Sequence, residues 1–338
     1  MRAKAVRTDS ELECPRIDAG LRARGVELET LPESVTEEQL AMAVADADLL
    51  LMCYTPITAR VLDGALRLRG IVKYGVGVDA IDFAAAARRR IPVVNIPEYA
   101  EESVAEGAFA LIIALARKLG ALHAQMETAG WAWPTPCWLG LDLAGKTIGL
   151  VGVGRIGRSL ARMTGAGFRM RVLGFDPYVD AAQMLAAGVE KVEKLDDLLG
   201  RADFVSLHAV LNAETRHLIG PTQLGRMKPS AFLINVSRGA LVDEAALAGA
   251  IVAGRIAGAG LDVFSREPLA KDGHPLSALF GRPNVILTPH LTFYTREAMD
   301  RLEEETLQRC DELLAGKPVV VKSKDPRLRA QTTGVVFA

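Results

Sequence analysis

Short apolar runs and longer amphipathic stretches alternate along the first hundred residues. Residues 3–6, 26–31, 49–53, 70–74 and 93–96 are strand-like, and the Ala-rich, charged stretches 37–45 and 83–90 have the composition of amphipathic helices. Strands that alternate with helices predict a parallel sheet, because parallel neighbours need a crossover long enough to hold a helix. This part of the chain therefore reads as one α/β unit.

The texture changes near residue 100. Ser103-Val104-Ala105-Glu106 has the spacing of a capping box and predicts a helix through Phe109, Leu111, Ile112, Ile113 and Leu115 to a stop at Gly120. That helix is apolar on all sides and must be buried, between domains, between subunits or both. All three tryptophans follow in the Pro-interrupted segment from Trp131 to Trp138, whose composition suits an interface arm. A second strand-and-helix series begins at Thr147, with strands expected at 147–151, 171–175, 204–207, 232–236, 259–263 and 285–287. Six strands match a dinucleotide-binding sheet. One long helix, 296–314, and a polar, basic tail from 321 to 338 complete the chain, with no internal repeat.

Composition narrows the possible functions. At 338 residues the chain exceeds what one core usually organises, so two domains are expected. Forty basic against forty-one acidic residues leave a net charge of −1, which offers no bulk attraction to nucleic acid or anionic lipid. The apolar run 108–116 is too short to span a bilayer and is closed by Arg117 and Lys118. The first fifteen residues hold no apolar stretch of signal-peptide length, so a cytoplasmic setting is expected. Cys14, Cys53, Cys137 and Cys310 are far apart, without a CxxC pair or clustered His, which fits neither a disulfide framework nor a metal site.

One motif has a full structural context. Gly152-Val153-Gly154-Arg155-Ile156-Gly157 follows an expected strand directly and opens an expected helix. The first glycine permits the tight turn, the second lets backbone approach a pyrophosphate, and the third lets helix pack on strand. Free N–H groups at the helix start then attract phosphate. Asp176 ends the next strand, 19 residues beyond Gly157, where an acid accepts from both hydroxyls of an adenosine ribose and repels a 2′-phosphate. NAD is thus expected over NADP, with Arg155 and Arg171 the nearest grounds for the opposite choice.

Three further segments each place a charged group at a strand end: Asn235 to Gly239 with Arg238, Leu261 to Pro268 with Glu267, and Leu287 to His290. Ligands of open α/β sheets bind at the carboxyl ends of the strands, so Arg238, Glu267 and His290 are expected to converge there. Alone, each reads equally well as a surface ion pair or a loop histidine. His208, His217, His123 and His274 read as structural.

These residues resemble the D-isomer-specific 2-hydroxyacid dehydrogenase family. The resemblance runs through Lys73 to Asp79, Ile81-Asp82, Ser103 to Glu106, the glycine turn, Asn235 to Gly239, Asp262 to Pro268 and Thr288-Pro289-His290. It implies a discontinuous flavodoxin-like substrate domain, residues 1–100 and 292–338, into which a doubly wound parallel-sheet NAD-binding (Rossmann) domain, 101–291, is inserted. It also implies a cleft between the two and a homodimer built through the NAD domain. On this reading hydride passes between NAD(H) and a D-2-hydroxy acid/2-keto acid pair, with His290 as general acid and base, Glu267 orienting its ring and Arg238 clamping the substrate carboxylate. The family further implies a second carboxylate contact at the N–H groups of Val76 and Gly77, an acceptor for the nicotinamide amide at Asp262, and cofactor contacts at Ser103 and Ile156. Tyr54 and Phe293 are expected along the substrate pocket.

The aromatic segment Leu291 to Thr295 is similar to that of D-lactate and D-2-hydroxyisocaproate dehydrogenases, which tilts the expected substrate toward an apolar tail. Val210 and Asn212 depart from the proline and threonine of many relatives in the loop after Leu207-His208. Two alternatives stand beside this reading: an NAD(H)-sensing scaffold like the co-repressors of the same fold, and a phosphoglycerate- or glyoxylate-type dehydrogenase. Formate dehydrogenases resemble the chain less, since they carry Gln where Glu267 stands.

Overall fold

The computed structural model describes residues 2–338, which form two compact units, residues 2–100 with 295–338, and residues 101–294. In the first unit the strands are β1 (Lys4–Arg7), β2 (Glu27–Thr30), β3 (Leu49–Met52), β4 (Gly70–Lys73) and β5 (Val93–Asn95). The intervening helices are α1 (Pro15–Ala23), α2 (Glu37–Val44), α3 (Ala59–Asp63) and α4 (Phe83–Arg88). All pairings are parallel in the order β2-β1-β3-β4-β5, the flavodoxin-like arrangement. Every residue of β3 and β4 is buried, as expected of central strands covered on both faces.

The second unit opens with α5 (Glu101–Ala116) and α6 (Leu119–Ala129). This differs from the capping-box reading in two ways. Ser103 lies inside the first turn, because the helix starts earlier on Glu101 and Glu102, whose charges suit a helix N-terminus. Lys118, in left-handed backbone, makes the break, and Gly120 belongs to the helix beyond it. The burial that the apolar α5 requires is met in part within its own unit: Leu111 and Leu115 lie against Gly260, where an added Cβ would meet Leu111 at 3.0 Å.

Six expected strands are present in this unit, as β6 (Thr147–Val151), β7 (Arg171–Phe175), β9 (Phe204–Leu207), β10 (Phe232–Asn235), β11 (Gly258–Leu261) and β12 (Val285–Leu287). A seventh, β8 (Glu190–Lys191), pairs with β7 at the edge; two polar residues give no hydrophobic signal to find it by. Helices α7 (Arg155–Arg162), α8 (Ala181–Ala186), α9 (Leu195–Arg201), α10 (Pro221–Arg226) and α11 (Glu244–Val252) connect them. The order β12-β11-β10-β9-β6-β7-β8 is the doubly wound one, reversing between β6 and β9.

The chain then returns to the first unit as α12 (Arg296–Leu314), β13 (Val319–Val321), α13 (Pro326–Arg329) and β14 (Val335–Phe337). The seam falls after Tyr294 rather than after residue 291, because the N–H groups of Leu291 and Thr292 are bound to Asp262 of the second unit. The basic tail is structured: β13 and β14 pair in parallel, and the Gln331 side chain bonds both N–H and C=O of Val93.

Helix α1 shows why both ends of the chain are needed in one unit. Its N-cap, Cys14, makes no side-chain cap, and the N–H groups of Arg16 and Ile17 donate instead to Glu303 of α12 at 2.8 and 3.0 Å. Glu303 is buried, so these charge-assisted bonds are sheltered from water. Glu303→Ala is expected to cost about 1–3 kcal/mol in stability, by the usual worth of such a cap. Chemical denaturation of variant and wild type checks this.

Candidate active site

The glycine turn lies in the second unit, between β6 and α7. Gly152 has φ +95°, and a Cβ there would lie 2.7 Å from the backbone of His208 and Ala209. A Cβ on Gly157 would come within 2.5 Å of the Gly152 carbonyl oxygen, so this glycine lets α7 close on the turn. Gly154 differs from both: nothing lies within 4 Å of its Cβ position. The turn thus presents open space at the start of an eight-residue helix, and the residues fit a dinucleotide pyrophosphate.

Asp176 is bound to this turn. Oδ2 accepts Val153 N–H and Oδ1 accepts Tyr178 N–H, both at 2.9 Å, which leaves each oxygen a second lone pair. The two nearby arginines are committed elsewhere, Arg155 to Glu101 at 3.0 Å and Arg171 to Glu190 at 2.7 Å. Neither is presented as a bare cation for a 2′-phosphate. Ile156 stands in the first turn of α7, and Ser103 is buried in the first turn of α5.

Below the turn, His208 shares a 2.9 Å hydrogen bond between its Nε2 and the Ser206 hydroxyl, while Nδ1 is buried without a partner. Burial pushes its pKa down to about 4, so the ring is neutral at physiological pH.

Arg238, Glu267 and His290 follow three adjacent strands, β10, β11 and β12. His290 has left-handed backbone, φ +56°, with its N–H turned back on the Thr288 carbonyl. Its Nδ1 lies 2.7 Å from Oε2 of Glu267, and its ring meets Phe293 edge-to-face. Glu267 Oε1 accepts Phe264 N–H at 2.8 Å. Burial alone would raise the Glu267 pKa, but hydrogen bonds from His290 and Phe264 and the charge of Arg238 outweigh it and hold the carboxyl below its ordinary range. Glu267 is therefore ionised at neutral pH and can stabilise an imidazolium.

Asp262 ties down the loop that carries His290. It is fully buried, and its two oxygens accept from the Thr288 hydroxyl, Leu291 N–H, Thr292 N–H and the Thr292 hydroxyl at 2.6–3.0 Å. With no exposed surface and four donors, the carboxylate is committed to the loop that carries His290. Gly239 enters the sequence reading only as the end of the Asn235 to Gly239 segment. A Cβ at this position would sit 1.9 Å from the Phe264 carbonyl carbon and 2.2 Å from Ser265 N. The loop after Arg238 thus runs directly against the loop that leads to Glu267. A glycine after an arginine gives no sign of which backbone it must pass.

Val76, Gly77 and Tyr54 belong to the first unit, on loops after β4 and β3. The Val76 carbonyl accepts Asn95 Nδ2 at 2.6 Å, and Val76 and Tyr54 are exposed. Beside them Lys73 is buried, with Nζ 3.1 Å from Cys53 Sγ and 5.6 Å from the Tyr54 ring centroid.

Residues 109–292 match the family described as D-isomer specific 2-hydroxyacid dehydrogenase, NAD binding domain. The chain is 41% identical over 281 residues to D-3-phosphoglycerate dehydrogenase of Mycobacterium tuberculosis, covering 83% of this chain and 52% of the relative. It therefore spans about half the length of that relative. Against the glyoxylate reductase of Korarchaeum cryptofilum it is 44% identical over 264 residues, 77% of this chain and 78% of the other. The solved D-lactate dehydrogenase of Aquifex aeolicus, complexed with NAD and lactic acid, is 31% identical with a TM-score of 0.81, covering 92% of this chain and 96% of that one.

The packing at Gly239 generates a direct expectation. Gly239→Ala should push the Phe264–Ser265 backbone away and lower turnover by about a hundredfold or more, the scale of an ångström-size misplacement. Steady-state kinetics beside a melting curve measures it; turnover within threefold of wild type would show that the close approach is not required.

Proposed function

Because the chain belongs to the D-isomer-specific 2-hydroxyacid dehydrogenase family, we propose that it interconverts a 2-keto acid and a D-2-hydroxy acid with NAD(H). The observation that carries this reading is the 2.7 Å pair of His290 Nδ1 and Glu267, set at a strand end next to Arg238 in the same sheet as the glycine turn. When bound, the nicotinamide supplies or receives the hydride. Reduction builds negative charge on the keto oxygen, which needs a proton and a nearby cation. His290 gives that proton from Nε2 while Glu267 holds Nδ1, and in the oxidative direction the neutral ring takes it back. Arg238 holds the substrate carboxylate through its planar fork. The resemblance implies a second carboxylate contact at the N–H groups of Val76 and Gly77.

A monocarboxylic substrate with an apolar tail is favoured. Phe293 supplies aromatic surface beside the His290 ring, and in the first unit Lys73, only 6% exposed, lies against the Cys53 thiol and the Tyr54 ring. Each methylene taken from water adds about 0.8 kcal/mol, whereas an unmatched second anion is costly to desolvate. One observation favours a second reading, a phosphorylated or dicarboxylic substrate: the buried Lys73 meets a thiol and an aromatic ring, and forms no ion pair with a carboxylate among the described residues. A panel of 2-keto acids of graded size and charge decides between them. Higher kcat/KM for pyruvate or a branched-chain keto acid than for phosphohydroxypyruvate, oxaloacetate or 2-oxoglutarate is expected; the reverse order establishes the second reading. With the best substrate, His290→Ala should lower kcat by about a hundredfold or more at near-unchanged cofactor affinity. Absence of turnover across the whole panel would point instead to a nucleotide-sensing scaffold.

Asp176 sets the cofactor preference. Asp176→Ser should lower the ratio of kcat/KM for NADH over NADPH by about tenfold or more, since it removes both ribose acceptors and a 2′-phosphate repellent. Equal use of both cofactors by wild type would count against this assignment.

The protein works as a cytoplasmic homodimer. None of the eleven residues of α6 is buried, and Leu119, Met126, Trp131, Trp133 and Leu139 expose apolar surface of the kind that marks an interface. The four cysteines are free, and no helix among the described residues is long and apolar enough to cross a membrane. Sedimentation should give twice the chain mass for wild type and a shift toward monomer for Trp133→Asp; a monomeric wild type would remove the dimer.

A further inference from the structure

Glu244 stands in the first turn of α11, is only 6% exposed, and makes its side-chain contacts outside its own helix. Oε1 accepts Ser265 N–H at 2.7 Å, and Oε2 accepts the Ser265 hydroxyl. Oε2 also lies 3.5 Å from Nε2 of His274, another buried residue. His274 Nδ1 accepts Leu276 N–H at 3.2 Å, which assigns the proton of the neutral ring to Nε2, the nitrogen nearest Glu244. A buried carboxylate is costly unless donors converge on it, and here both come from Ser265, in the loop between β11 and Glu267.

The peptide before Ser265 N carries the rest of the connection. Phe264 N–H donates to Glu267 Oε1, and Glu267 Oε2 meets His290 Nδ1. Gly239 closes on Phe264 and Ser265 as well, so two elements hold one short stretch of backbone. We propose that Glu244 is a positioning residue: by clamping Ser265 it keeps Phe264 N–H on Glu267 and so keeps Glu267 aligned on His290. It touches none of the reacting groups and acts through a chain of bonded neighbours. Ser265 is its direct target.

The proposal rests on the dehydrogenase reading for its kinetic consequence, but the hold on the Glu267–His290 pair is measurable without turnover. The low-field proton resonance of the His290 Nδ1–H bond, assigned by its loss in His290→Ala, is recorded in wild type, Glu244→Gln and Ser265→Ala of the full chain. In Glu244→Gln the resonance is expected to broaden or vanish and kcat to fall by about tenfold or more, with cofactor Kd within twofold; Ser265→Ala, which keeps its backbone N–H, should lie between. An unchanged resonance with kcat within twofold overturns the proposal. So does a parallel loss of kcat, cofactor affinity and melting temperature with the resonance retained, which is the pattern of a purely structural carboxylate. If Glu244→Gln does not fold, an unchanged resonance in Ser265→Ala overturns it alone. A wild type that shows the resonance but reduces no keto acid sinks the dehydrogenase reading, while the resonance in the variants still judges Glu244.

Discussion

The contact on which the candidate site depends is between backbone and backbone. Gly239 runs so close to Phe264 and Ser265 that no side chain can stand between them. Strands β10, β11 and β12 are neighbours in parallel register, which brings their carboxyl ends to one edge. Register alone does not aim side chains. The close pass of two loops fixes the Arg238 backbone relative to the peptide whose N–H orients Glu267, and Glu267 in turn orients His290. Such an approach is available only to glycine, and its precision comes from hard repulsion rather than from a soft attraction.

Buried carboxylates perform a related task in both units. Asp262 gathers donors from residues 288–292, and Glu244 gathers those of Ser265. In the first unit Asp9 accepts from Thr8, Cys53 and Thr55, which holds the loop after β3 to the end of β1. Glu303 caps α1 in the same way. The physical reason is common to all four. Loop backbone at a strand end and the first turn of a helix both have N–H groups with no partner in a ladder or helix, and an anion can satisfy several at once while the strength of those bonds outweighs its own desolvation.

Much of the architecture was legible in the hydrophobic pattern. Parallel strands covered on both faces must be continuously apolar, so β3, β4, β6, β9 and β10 announce themselves, and the glycine turn follows β6 at the spacing the pyrophosphate requires. Three features escaped: the polar two-residue β8, the tail strands β13 and β14, whose three apolar residues each are too short a run to stand out in an otherwise polar tail, and the helix boundary at Lys118, where a left-handed lysine does what a glycine was expected to do. Arg238, Glu267 and His290 were readable because each is a charged residue at the end of a strand, a position defined by local sequence.

The partners of those residues were not readable, because they are set by contacts between segments far apart in the chain. Asp262 shows the division. Its sequence neighbours identify it as a polar group at a strand end, and only the folded chain reveals the four donors from residues 288–292 that converge on it. Lys73 is a basic residue by sequence, but its burial against a thiol and a ring is a property of β3 and β4 lying side by side. The amino-acid sequence determined which elements form and where the chemistry resides, since periodicity, turn residues and charge act over a few positions. Tertiary structure decided how that chemistry is aimed, because hydrogen-bond capacity, burial and closest approach are exhausted or left open only when distant backbone arrives.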